Sequence, residues 1–173
     1  MLRFKKLFFM TILALSLITS AAASNDTRLS VNQALQLAQD EKVILVDVRS
    51  RDEWRETGIA SVAYPVSMHE NDFLPRFQSI LELANGRPVA LICATGSRTA
   101  WLQQELNRRG VKNILDVSEG MLGSRHGQGW LRSGLPILKY PPTATSRSAP
   151  GYSWWESLTG SYAPSWKQQE EKE

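Results

Sequence analysis

The chain has 173 residues with 20 Lys+Arg against 17 Asp+Glu, and three of the positives, Arg3, Lys5 and Lys6, sit at its very start. From Ser24 onward the charges balance at 17 against 17 (20 minus 3, no acidic residue being lost), so the pI near 9.2 points to neither a nucleic-acid nor an acidic-membrane partner. The single cysteine excludes an internal disulfide, and His69 and His126 with Cys93 make a poor metal set with no short ligand spacing, so no metal and no cofactor is expected.

Residues 1–23 read as a secretory signal peptide: the basic start, an apolar run of 12 residues from Leu7 to Ile18, and small residues at Ala21-Ala22-Ala23, with cleavage after Ala23. The apolar run is short of the roughly 20 residues a membrane span needs. Export is therefore expected, to the periplasm if the source is bacterial and to the outside otherwise, without stable membrane insertion after cleavage. Residues 24–140 form the expected domain, and residues 141–173 a Pro/Ser/Trp-containing tail.

Ser30 is an N-cap candidate for a helix in which Val31, Ala34, Leu35 and Ala38 share one face. Val43 to Val48 is a continuous apolar run, as a strand buried on both faces requires. Arg51 to Glu56 predicts a helical turn, and Ser61 to Val66 a short strand. Glu70 to Leu83 has helical spacing with Pro75 in the first turn. Pro88 to Cys93 predicts a second buried strand, Arg98 to Arg109 a helix stopped at Gly110, and Val111 to Val117 a further strand. A glycine-rich loop over Glu119 to Gly129 and a turn at Gly134-Leu135-Pro136 follow. Strands alternating with helices and lacking polar alternation predict an α/β fold with a central parallel sheet and helices on both faces.

Cys93 ends the most apolar of these strands, and such strand ends are where α/β sheets place their sites. Ala94, Thr95, Gly96, Ser97 and Arg98 then lead into a helix. A helix start supplies unpaired N–H groups and partial positive charge, and the arginine supplies a full charge; both favour a thiolate and both bind an anion. The competing reading is a buried structural cysteine. A free thiol in an exported protein needs a reason, and burial or chemistry would each serve.

In order along the chain, the motifs resemble those of the rhodanese family of sulfurtransferases, over about Leu29 to Lys139. Leu45-Val46-Asp47-Val48-Arg49 is similar to that family's L-x-D-V-R strand. Glu53-Trp54 with Gly58-Ile59 is similar to its E-[FY]…G-H-I-P-G-A segment. Cys93 to Arg98 matches its C-x-x-G-x-R loop, and Glu119-Gly120, Trp130 and Gly134-Leu135-Pro136 match its ending. There are two departures. The family's middle histidine is absent from Thr57-Gly58-Ile59-Ala60-Ser61-Val62, and Glu119 replaces a usual glycine ahead of a longer loop, with an expected effect on access to the site.

The resemblance implies a three-layer rhodanese-like fold and a persulfide carried on Cys93. The N–H groups of Ala94 to Arg98 would hold the terminal sulfur, with Thr95 and Ser97 adding hydroxyl donors. Gly96 supplies the curvature. Arg98 either orients an anionic donor such as thiosulfate or polysulfide, or pairs with a carboxylate and holds the loop. Asp47 and Arg49 are expected to support the site through structural hydrogen bonds. A thiol, a thiol protein or cyanide would accept the sulfur.

Two rivals remain. Cysteine phosphatases and arsenate reductases use C-x5-R, whereas Cys93 and Arg98 form C-x4-R, a smaller ring that suits sulfur better than phosphate. A non-enzymatic binding module is the other, against which stand the retained Cys93 and Arg98. The tail holds 15 Pro, Ser, Thr or Gly in 33 residues, yet also Tyr152, Trp154, Trp155, Tyr162 and Trp166. It reads either as a segment packed on its own domain or as a docking site for a protein sulfur acceptor.

Overall fold

The computed structural model describes residues 27–140; the expected signal peptide and the expected tail lie outside them. Five parallel strands form the central sheet: β1 (Arg28–Leu29), β2 (Ile44–Asp47), β4 (Ala63–Pro65), β5 (Val89–Ile92) and β6 (Ile114–Val117), in the order β1-β6-β5-β2-β4. A small antiparallel pair, β3 (Ile59–Ala60) with β7 (Ile137–Leu138), lies apart from it.

The apolar runs of β2 and β5 are explained by what covers them. Leu45, Ala90 and Ile92 face a core built with Val31 and Ala34 of α1 (Val31–Gln39), Trp54 of α2 (Arg51–Thr57) and Trp130 of α5 (Gly129–Arg132). Ile44, Val46, Val89, Leu91 and Cys93 face the other way. They pack on Phe77, Ile80 and Ala84 of α3 (Phe73–Ala84) and on Leu102 and Leu106 of α4 (Ser97–Arg108). Both sheet faces are buried, so alternation has no polar phase to show. Helices thus cover both faces, as expected.

Two helix starts are set by capping boxes. Ser30 Oγ accepts the Gln33 N–H at 3.2 Å while the Ser30 N–H donates to Gln33 Oε1 at 2.9 Å. Ser50 and Glu53 repeat the arrangement at the start of α2. The elements depart most from expectation at three places. α3 starts at Phe73 rather than Glu70, behind Asp72, and leaves Pro75 in its first turn. β6 starts at Ile114 because Asn113 takes a left-handed φ of 60° that ends any earlier strand. The glycine-rich loop closes into the short α5.

Candidate functional site

Cys93 follows the last residue of β5, and Gly96 turns the chain so that α4 starts at Ser97. The turn requires glycine. Gly96 has φ +82°, and a Cβ there would lie 2.2 Å from the Ser118 carbonyl oxygen. The segment after β6 clamps the loop from beneath: the Met121 and Leu122 N–H groups donate to the Cys93 and Ala94 carbonyls, each at 2.8 Å. Gly120 makes this approach feasible, since a Cβ on it would stand 2.4 Å from the Ala94 oxygen.

Cys93 is fully buried, and the Gly96 N–H donates to its Sγ at 3.2 Å. The N–H groups of Ala94, Thr95, Ser97 and Arg98 find no acceptor among the described residues. The loop therefore commits one backbone donor to the sulfur and leaves four others, beside it in sequence, without an acceptor, which suits an anion. Thr95 and Ser97 are exposed, with their hydroxyls 3.4 Å apart. On its inner side Sγ lies 3.6 Å from the Thr99 hydroxyl, which itself donates to the Gly96 carbonyl at 3.0 Å.

Arg98 is tied down by Glu53 of α2, which accepts at 2.8 Å from Nη1 and at 2.5 Å from Nη2. The arginine holds the Glu53 carboxyl down at about 2, helped by the Ser50 N–H and opposed by burial. In turn Glu53 holds the guanidinium more firmly protonated, with a smaller contribution from Cys93. Of the two roles open to Arg98 in the sequence, the structure shows the pairing with a carboxylate. His69 completes the cluster, its Nε2 lying 3.1 Å from Arg98 Nη1.

Asp47 and Arg49 do not join this cluster. They form a buried ion pair of 2.7 Å, and Arg49 also donates to Thr57 Oγ1 and the Gly58 carbonyl, each at 2.7 Å. Their reach is indirect: Arg49 holds the end of the helix whose first turn carries Glu53. The same bonds fasten the histidine-free segment Thr57-Gly58-Ile59 to Arg49; it lies against β7, where a Cβ on Gly58 would stand 2.7 Å from the Leu138 carbonyl oxygen. Glu119 also has a structural account. Its buried carboxylate accepts the Val31 N–H at 3.2 Å and the Gly129 N–H at 3.1 Å, joining the starts of α1 and α5. His126 is exposed and takes a hydrogen bond from Arg125 at 3.2 Å.

Sequence reasoning missed Glu53, His69 and Thr99 as neighbours of the loop. Only Glu53 carried a readable signal, the Ser50-x-x-Glu53 capping box, and that signal announces a helix start rather than a partner for Arg98. Among the described residues there is no group of three or more His, Cys, Asp or Glu able to hold a metal, and no helix is long and apolar enough to cross a membrane.

A strand-end cysteine with a loop N–H on its sulfur, a loop closed by an arginine and a doubly covered parallel sheet together are the arrangement of a rhodanese-like domain. The family model for the Rhodanese-like domain matches residues 30–124, more than half of the chain, and the protein belongs to this family. Among its relatives, a sulfurtransferase of Allochromatium vinosum is 30% identical over 103 residues, spanning 60% of this chain and 85% of that protein. The thiosulfate sulfurtransferase GlpE of Tolumonas auensis is 26% identical over 103 residues, spanning 60% of this chain and 92% of its own. Of solved structures, Rv0390 from M. tuberculosis is similar at 27% identity and a TM-score of 0.47, covering 63% of this chain and 94% of that one.

Proposed function

We propose that the protein is an exported sulfurtransferase that carries sulfane sulfur on Cys93 from a small anionic donor, thiosulfate or polysulfide, to a thiol or cyanide-like acceptor. The observation that carries this reading is the Cys93 sulfur itself, which accepts the Gly96 N–H at 3.2 Å inside a loop whose other N–H groups are uncommitted. Its relatives named as sulfurtransferases support the same class.

The thiolate attacks the outer sulfur of the donor. A Cys93–sulfur bond forms, the donor's S–S bond breaks, and sulfite or the shortened polysulfide leaves with the electron pair. The terminal sulfur of the persulfide is anionic, and the loop donors stabilise it without reorganising. An acceptor thiolate or cyanide then attacks that sulfur and Cys93 departs as thiolate, a ping-pong sequence. Because Cys93 is buried and Arg98 is occupied by Glu53, donor recognition falls on the loop N–H groups and on the exposed Thr95 and Ser97. Export rests on Arg3, Lys5, Lys6 and the apolar run after them, and delivery to a protein acceptor on the aromatic residues of the tail.

Intact-mass measurement after incubation with thiosulfate or polysulfide tests the chemistry. One added sulfur, absent from Cys93→Ser, is expected; an unmodified wild-type mass with both donors rejects the reading.

A further inference from the structure

Arg98 is the only charged residue in the loop from Cys93 to the start of α4, yet its guanidinium is already engaged. Nη1 donates to Glu53 Oε2 at 2.8 Å and Nη2 to Glu53 Oε1 at 2.5 Å, the two-point geometry in which an arginine grips a carboxylate most firmly. His69 Nε2 stands 3.1 Å from Nη1 and flanks it on a further side. Glu53 is itself fixed. Its carboxylate also accepts the Ser50 N–H at 3.1 Å, so the start of α2 decides where the guanidinium is drawn. With its carboxyl held at about 2, Glu53 is ionised wherever Cys93 can act as a thiolate. The guanidinium also stands within electrostatic reach of the sulfur, since Cys93 adds to holding it protonated.

What remains for an anion is modest. The start of α4, a helix of 12 residues, supplies about half an elementary charge. The loop N–H groups and the exposed hydroxyls of Thr95 and Ser97 add neutral donors. That provision suits one negative charge. A dianion sheds more hydration on entering and needs a full counter-charge in return. Thiosulfate is such a dianion. Replacing one of its charged oxygens by a methyl group gives the methanethiosulfonate anion, which presents the same outer sulfur with a single charge.

We propose that Glu53 is a specificity-determining residue: by gripping the Arg98 guanidinium it withholds that charge from the donor, so the site selects singly charged sulfane donors against dianions such as thiosulfate. Glu53 acts through Arg98 and is a positioning residue; Cys93 remains the group that meets substrate. The proposal rests on the sulfurtransferase reading and narrows its donor class. The chemistry is the same for either donor. The thiolate bonds to the outer sulfur, the S–S bond breaks, and the electron pair leaves on sulfite or on methanesulfinate. What differs is whether a guanidinium is free to meet the second charge.

The test compares kcat/KM for thiosulfate and for methanethiosulfonate, with cyanide as acceptor, on full-length protein. Glu53→Gln keeps the capping box with Ser50 and removes the charge. The thiosulfate-to-methanethiosulfonate ratio is expected to rise about tenfold in Glu53→Gln and to return to the wild-type value when Arg98→Ala is added. An unchanged ratio in Glu53→Gln overturns the proposal. A gain that survives in the double variant also overturns it, because the gain would then come from the Glu53 charge alone. If Glu53→Gln does not fold, Glu53→Asp takes its place. It is one methylene too short for the two-point grip, so a smaller gain is expected, and a wild-type ratio overturns the proposal. The same withholding can be read without any sulfur donor, from alkylation of Cys93 by the anion iodoacetate against neutral iodoacetamide. That ratio should rise about threefold in Glu53→Gln and fall back in the double variant. Alkylation ratios that move in this way, with no sulfur taken from either donor, support the withholding of Arg98 and reject the sulfurtransferase reading instead. Alkylation ratios that do not move overturn the withholding whatever the donors do.

Discussion

Glu53→Gln separates the charge of the Glu53–Arg98 pair from the rest of the fold. Glutamine retains the capping box with Ser50, because that position accepts Glu and Gln alike. What is lost is the carboxylate. A fall of the Glu53 pKa from the ordinary 4.5 to about 2 corresponds to about 3 kcal/mol. The two side chains are 29% and 28% exposed, so solvent screening lowers the expected effect to roughly 1–2 kcal/mol. A carboxyl depressed in the folded state stabilises above its unfolded value and loses that contribution as the pH falls toward its folded value. Urea unfolding of wild type and Glu53→Gln should therefore differ by a constant amount above about pH 5, converge as the pH falls through 4.5, and coincide near 2. A difference that stays constant down to the acid end would refute the charge argument and assign the effect to packing.

Three further outcomes are expected. Asp47→Ala strands the Arg49 guanidinium, which is 1% exposed, and should cost about 3–5 kcal/mol in denaturant unfolding; a loss below about 1 kcal/mol would mean the pair is replaceable. Gly96→Ala drives a Cβ toward the Ser118 carbonyl at a left-handed φ, so transfer to cyanide should fall roughly a hundredfold through misplacement of the loop, while circular dichroism remains native. Arg98→Ala should slow thiosulfate and an uncharged persulfide donor equally, since Glu53 already occupies the guanidinium; a selective loss with thiosulfate would show direct recognition of the donor.

The frame of the fold was legible because long buried strands and capped helices leave marks in sequence. Val43 to Val48 and Pro88 to Cys93 are apolar throughout because both faces of β2 and β5 are covered, and Ser30 opened α1 as expected. Strands β1, β3 and β7 were not legible. Each has two residues, too few to show any period, and their pairing is set by distant segments. The same contrast holds at the site. Cys93 to Arg98 is contiguous and could be read directly. Glu53 lies 45 residues from Arg98 and His69 lies 29 away. Asp116 was one of three polar residues, with Lys112 and Asn113, in the run expected as a strand, and only strand register shows that it shares a face with Leu91. Arg98 could be read as a ligand for donor or for carboxylate, and its carboxylate partner Glu53 could be named only from the position of α2.

The Glu119 carboxylate joins parts of the chain that come together late. The Val31 N–H it accepts is 88 residues earlier in sequence, at the start of α1. Closing a loop of that length has an entropic cost that must be met before the contact stabilises anything, so contacts of this kind tend to form after the folding barrier has been crossed. Contacts absent from the folding transition state act mainly on the unfolding rate. Glu119 is thus a latch whose effect is on the lifetime of the folded state. With the export proposed above, the protein would work outside the reach of cellular refolding machinery, where a long lifetime serves it more than fast folding.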